Sequence, residues 1–132
     1  MSTLHFISLF PETITVWLRT GILGKALEKG LFQFEVHQLR DFATDKHRTV
    51  DDVSYGGGGG MVLKIEPLAL AVETIKSKSP DRKFVILCPS PSGRPLRQQW
   101  VQETLEGYGG HDFIFICGRY EGIDQRFLEH FV

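Results

Sequence analysis

Apolar positions along the chain fall into two kinds of run. The first kind is short and nearly unbroken: residues 4–9 (Leu-His-Phe-Ile-Ser-Leu), 84–88 (Phe-Val-Ile-Leu-Cys) and 113–117 (Phe-Ile-Phe-Ile-Cys). Such runs, bounded by Pro and Gly and rich in β-branched and aromatic side chains, predict strands covered on both faces. Residues 32–38 (Phe-Gln-Phe-Glu-Val-His-Gln) alternate apolar and polar instead, the period of a half-buried strand. The second kind has helical spacing. Ile14, Val16, Trp17 and Leu18, then Ile22, Leu23, Ala26 and Leu27, predict a helix over 12–28 that breaks near Gly21 and stops at Gly30.

Further helices are expected over 66–76, with Pro67 in its first turn, over 96–105 and over 123–131. Residues 39–60 carry no period and read as a long loop, a length that in a compact domain usually serves function or is disordered. Strands alternating with helices predict an α/β fold, a parallel sheet with helices on both faces. Ligands bind such sheets beyond the carboxyl ends of the strands. The turns after Leu9, Cys88 and Cys117 mark those ends.

Composition narrows the class. A chain of 132 residues, 42% hydrophobic and 23% charged, suits one globular domain with a sizeable core. A formal net charge of −1 gives no whole-protein field for nucleic acid, so any basic footprint must be local. No apolar stretch approaches a membrane span, and the first residues lack a leader's basic lead and cleavage site. Cys88 and Cys117 form no C-x-x-C pair, which points to a reduced, cytoplasmic protein with two buried thiols, neither metal-bound nor disulfide-linked. Trp17 and Trp100 sit on apolar helix faces and are expected in the core or at a dimer contact.

The least ordinary stretch is Tyr55-Gly-Gly-Gly-Gly-Gly-Met61. Five consecutive glycines are costly to order, so the run is either a slack linker or a backbone that something approaches closely. It is not a P-loop, because Met61 and Val62 follow the last glycine where Lys and Ser or Thr are needed. Nor does it have the spacing of a dinucleotide-binding turn, and no predicted strand leads into it. Glycines alone favour the linker. Packable neighbours (Tyr55, Met61) and the preceding His-Arg-Thr-Val-Asp-Asp argue against it.

A second cluster, Cys117-Gly-Arg-Tyr-Glu-Gly-Ile-Asp124, follows a buried strand and ends at a helix start. Gly118 and Gly122 permit a tight turn, Tyr120 offers a flat face and Glu121 a carboxylate. An ordinary strand–turn–helix connection explains the same residues.

In order and spacing, I-S-L-F-P (7–11), R-D-F (40–42), H-R-T-V-D-D (47–52), Y-G-G-G-x-G-M (55–61) and C-G-R-Y-E-G-I-D (117–124) resemble bacterial tRNA (guanine-N1)-methyltransferases of the knotted, or SPOUT, class. The resemblance covers essentially the whole chain. It implies a trefoil-knotted domain that binds S-adenosylmethionine, works as a homodimer, and methylates N1 of the guanine 3′ to the tRNA anticodon, position 37. It also implies that residues 1–132 are the amino-terminal portion of that domain. The knot-closing loop, the general base and the helical tRNA-binding domain would then lie beyond Val132, leaving the knot incomplete here.

By the same resemblance, Pro91, Gly93, Gly118, Tyr120, Glu121 and Gly122 would wall the cofactor pocket. The first loop reads Ser90-Pro-Ser-Gly93 where the family commonly has S-P-Q-G. Glu121 would support the methyl group, with no metal site implied. His47, Arg48, Asp51, Asp52 and the glycines Gly57, Gly58 and Gly59 would face tRNA. His47 and Arg48 suit phosphate contacts or a solvated loop pair equally; Asp51 and Asp52 suit a guanine edge or turn capping. Arg94, Arg97 and Arg119 give a modest basic rim. The competing reading is a non-catalytic α/β module that dimerises or binds RNA without turnover.

Overall fold

The computed structural model describes residues 2–45, 49–53, 61–90, 93–118 and 125–132, with backbone only at 51–53, 61–62, 125 and 130. In chain order the elements are β1 (Thr3–Ser8), α1 (Pro11–Leu18), α2 (Gly21–Glu28), β2 (Gln33–Gln38), a 3₁₀ turn (Leu39–Phe42), β3 (Asp51–Val53) and β4 (Met61–Leu63). They continue with α3 (Ile65–Lys78), β5 (Phe84–Leu87), α4 (Gln98–Gly107), β6 (Asp112–Ile116) and α5 (Gln125–Phe131). β1, β2, β5 and β6 form one parallel sheet in the order β2-β1-β6-β5. β1 and β6, far apart in sequence, sit side by side at its centre.

Local chemistry sets the helix ends. Pro11 occupies the first turn of α1, where its fixed φ helps and its missing N–H costs nothing. α2 opens on Gly21 at φ +64 and is closed by Gly30 at φ +72. There Gly30 N–H donates to Leu27 O and Leu31 N–H to Ala26 O, a Schellman closure that a side chain at Gly30 would strain.

Strand alternation sends the two faces of the sheet to different partners. Ile7, Ile114 and Ile116 point at α3, where Leu68, Ala71, Val72 and Ile75 pack with Phe127 of α5 into the main core. Phe6, Phe34, Phe113 and Phe115 take the opposite face, with Phe6 and Phe115 stacked at 4.9 Å. α1 lies on this side, its following Arg19 placed 5.5 Å over the Phe34 ring. The sheet is therefore parallel, with α3 and α5 packed on one face and α1 on the other.

Several expectations change. The loop expected over 39–60 contains the 3₁₀ turn and β3, and β3 pairs antiparallel with β4 at Asp51↔Leu63, Asp52↔Val62 and Val53↔Met61. A strand thus ends close before the glycine run, contrary to the reading that none leads into it; residues 54–60 lie outside the described residues. Trp17 is 56% exposed and not core, because α1 turns it away from the sheet. Cys88 and Cys117 are half-buried, not buried, being at strand ends. α4 begins at Gln98, leaving Leu96 outside it and exposed. Among the described residues no helix is long and apolar enough to cross a membrane.

Candidate functional site

The carboxyl edge of the sheet is stitched by contacts that reach past the strands. Cys117 N–H donates to Ile7 O at 2.9 Å, extending the β1–β6 pairing by one residue. Gln38 Nε2 donates to Leu9 O at 3.2 Å, and Phe10 N–H to Ser8 Oγ at 2.9 Å. Beyond β5 the chain runs through Cys88, Pro89 and Ser90, and Gly93 N–H turns back to donate to Ser90 O at 3.0 Å. A Cβ at Gly93 would lie 3.2 Å from that same oxygen, so a side chain there would require the turn to give by a few tenths of an ångström.

α4 stands off from the sheet, and none of its residues is buried. Between them lies a groove of about 560 Å³, with Leu4, Phe113 and Phe115 as its sheet wall and Trp100 and Leu105 as its helix wall. Cys88, Pro89, Ser90 and Gly93 line its end at the carboxyl edge. Arg94 is the one charged side chain among the described lining residues, and its guanidinium lies 5.9 Å over the Trp100 ring. The volume falls within the roughly 300–1,000 Å³ of small-molecule sites, and apolar walls with few polar groups are their usual composition.

Two thiols sit at this edge. Burial, with the neighbouring Cys117 adding to it, pushes the Cys88 thiol up to about 11; burial likewise raises Cys117. Both are neutral at physiological pH and are poor nucleophiles there. The described part of the groove is thus largely apolar, and its titratable chemistry is weak.

A separate constellation spans β1 and β2 on the α3 face of the sheet. His5 Nδ1 is 3.2 Å from His37 Nε2, and one Glu35 carboxylate oxygen is 3.4 Å from the first and 3.7 Å from the second. Of the described residues, these three are the group whose donor atoms converge closely enough to share a metal ion. Burial lowers the proton affinity of both rings, more than the Glu35 carboxylate raises it. Sequence reading missed the cluster. The only local signal was the i, i+2 pair Glu35 and His37, because the register that brings His5 opposite them is a tertiary fact.

The model of the family described as tRNA (Guanine-1)-methyltransferase TrmD matches residues 2–132. The chain belongs to this family. It is 50% identical over 127 residues to the tRNA (guanine-N(1)-)-methyltransferase of Methylacidiphilum infernorum, covering 96% of this chain and 52% of that protein. It is 46% identical over 123 residues to the Paenarthrobacter aurescens protein of the same name, covering 93% and 45%. The fold is similar to the crystal structure of tRNA (m1G37) methyltransferase from Aquifex aeolicus, with TM-score 0.79 and 33% identity over 97% of this chain and 56% of that one. The chain spans about half the length of the curated relatives it matches.

Among the residues singled out from sequence, Gly93 lies in the groove wall and Gly118 follows β6 at the same carboxyl edge, exposed. Asp51 and Asp52 lie in β3 of the antiparallel ribbon, away from the four-stranded sheet's ladder. Pro91, Tyr120, Glu121 and Gly122, with His47, Arg48, Gly57, Gly58, Gly59 and Arg119, lie outside the described residues. Trp100, read as core or dimer contact, is a groove wall. Trp100, Phe113 and Phe115 are the parts of the groove that motif reading did not supply.

Proposed function

We propose that the protein transfers a methyl group from S-adenosylmethionine to N1 of the guanine 3′ to the tRNA anticodon, position 37. The observation that carries this reading is a family match over residues 2–132 whose fold opens an apolar groove at the carboxyl edge, between the Cys88–Gly93 turn and β6.

The groove fits the cofactor on physical grounds: it has the volume of a small-molecule site, a turn at Gly93 that a Cβ would crowd, and a flat aromatic wall. Bound S-adenosylmethionine supplies an electrophilic methyl on a sulfonium. Phe113, Phe115 and Trp100 strip water from the site and strengthen the fields acting there. Gly93 lets the backbone fold back on Ser90 and keeps that wall thin. We assign Pro91, Gly93, Gly118, Tyr120, Glu121 and Gly122 to the cofactor wall, Glu121 in a supporting role. Guanine N1 must lose its proton as the N1–methyl bond forms and the sulfur–methyl bond breaks, leaving a neutral thioether. The base that takes this proton, and the loop that completes the trefoil knot, belong in this reading to the part of the family's length that the chain does not span.

His47, Arg48, Asp51, Asp52 and Gly57–Gly59 are proposed to face the anticodon stem. The protein is read as a cytoplasmic homodimer. Exposed Val16, Trp17 and Ile22 on α1 and α2 supply an apolar surface for a second subunit.

The test is transfer of labelled methyl groups from S-adenosylmethionine to a tRNA transcript carrying guanine at position 37, beside one carrying adenine there. Incorporation confined to the guanine transcript supports the reading. Absence of incorporation into both, by folded protein that spans the family's full length, overturns it and leaves the non-catalytic module; residues 1–132 alone, without the base, should give none.

A further inference from the structure

We infer that His5, Glu35 and His37 form a binding site for one divalent transition-metal ion, zinc fitting best, which fastens the edge strand β2 to β1. The site lies on the face of the sheet opposite Leu4, Phe113 and Phe115 of the groove wall, and is independent of the methyl-transfer reading.

Strand register builds it. His5 is paired with Glu35 and Ile7 with His37, so the three side chains leave the sheet on one face within a single repeat. Their donor atoms are separated by 3.2, 3.4 and 3.7 Å. Zinc bonds of about 2.0–2.2 Å at tetrahedral angles put neighbouring ligand atoms about 3.3–3.6 Å apart. The three atoms already form one face of such a tetrahedron, needing shifts of a few tenths of an ångström.

Hydrogen bonding accounts for only part of this convergence. A single proton links the two rings, and the Glu35 oxygen sits 3.4 and 3.7 Å from the nitrogens, beyond the roughly 2.7–3.2 Å of a good N–H···O bond. A carboxylate drawn towards two imidazole nitrogens without a short bond to either is what a shared cation would complete. Two imidazoles with one carboxylate is also a donor set that zinc uses.

The surroundings are consistent. His5 is 7% exposed, so its ring nitrogen faces the cluster with little competition from water. Glu35 and Asp112 act on His5 as negative charges, while Lys78 opposes at His37. Glu35's side chain is 59% exposed, so the fourth position opens to water. On binding, the ring that donates the bridging proton moves it to its other nitrogen. No proton need be lost.

Metal-stripped protein titrated with Co²⁺, then Zn²⁺, tests the assignment. The expected result is one equivalent of Co²⁺ giving strong visible ligand-field bands without thiolate charge transfer, which excludes Cys88 and Cys117. Zinc should displace it and raise the thermal midpoint. Glu35→Gln, at an exposed side chain, and His37→Gln should each weaken binding by at least about tenfold. Absence of stoichiometric binding overturns the inference, and so does binding that both variants leave unchanged.

Discussion

The Arg82 guanidinium donates to an Asp112 carboxylate oxygen at 2.6 Å, and the same oxygen accepts from Thr3 N–H at 3.0 Å. Asp112 starts β6, Thr3 starts β1 and Arg82 precedes β5, so one almost fully buried carboxylate gathers the amino ends of three neighbouring strands. Burial alone would raise its pKa. The Arg82 hydrogen bond, the Thr3 N–H and the charges of Arg82 and His5 overcome that and lower it.

A depressed folded-state pKa means that this stabilisation is present above the unfolded carboxylate value, about 3.9, and is lost as pH falls through the folded value. Urea midpoints of the native chain should drop as pH falls below about 4. Asp112→Asn should be less stable at neutral pH and should flatten that acid limb. An unchanged limb would show that other carboxylates govern it.

Gly24 is fixed by crowding. A Cβ there would lie 2.4 Å from the Arg19 carbonyl oxygen and 2.8 Å from its carbon, both backbone atoms at the α1–α2 junction. Gly24→Ala should therefore destabilise by about 1–3 kcal/mol, against the gain that Gly→Ala normally brings inside a helix. Denaturant unfolding of the two proteins checks the sign as well as the size.

Cys88, raised to about 11, should be a slow nucleophile. Its alkylation rate at neutral pH should fall well below that of a free cysteine near 8.5 and keep climbing with pH past that value. A plateau near pH 9, followed by mass spectrometry of the labelled peptide, would contradict the burial argument.

Trp100 tests the groove. Trp100→Ala removes its helix wall and the ring under Arg94 while touching no buried residue of α4. S-adenosylmethionine affinity of the whole protein should fall by roughly five- to thirtyfold, about 1–2 kcal/mol, with little change in thermal midpoint. Equal affinity in equilibrium dialysis would place the cofactor elsewhere.

Local patterns made much of this fold legible. The runs at 84–88 and 113–117 announced β5 and β6, since strands buried on both faces can be apolar at every position. Gly21 marked the break between α1 and α2, and Gly30 the stop, because each takes a positive φ. β3 escaped because three residues, two of them Asp, carry no readable period, and its antiparallel partner β4 lies across the glycine run. The groove escaped because Trp100 on a helix looks the same in sequence whether it packs tightly or stands off.

Sequence by itself determined the alternating α/β order, the parallel character of the sheet and the motifs that mark the family, all of which depend on near neighbours along the chain. Only the tertiary structure decided that β1 lies between β2 and β6, that Asp112 meets Thr3 and Arg82, and that His5 faces Glu35 and His37. The physical reason is register. Which residues of distant strands stand opposite each other depends on how the whole sheet packs, and no local run of residues carries it.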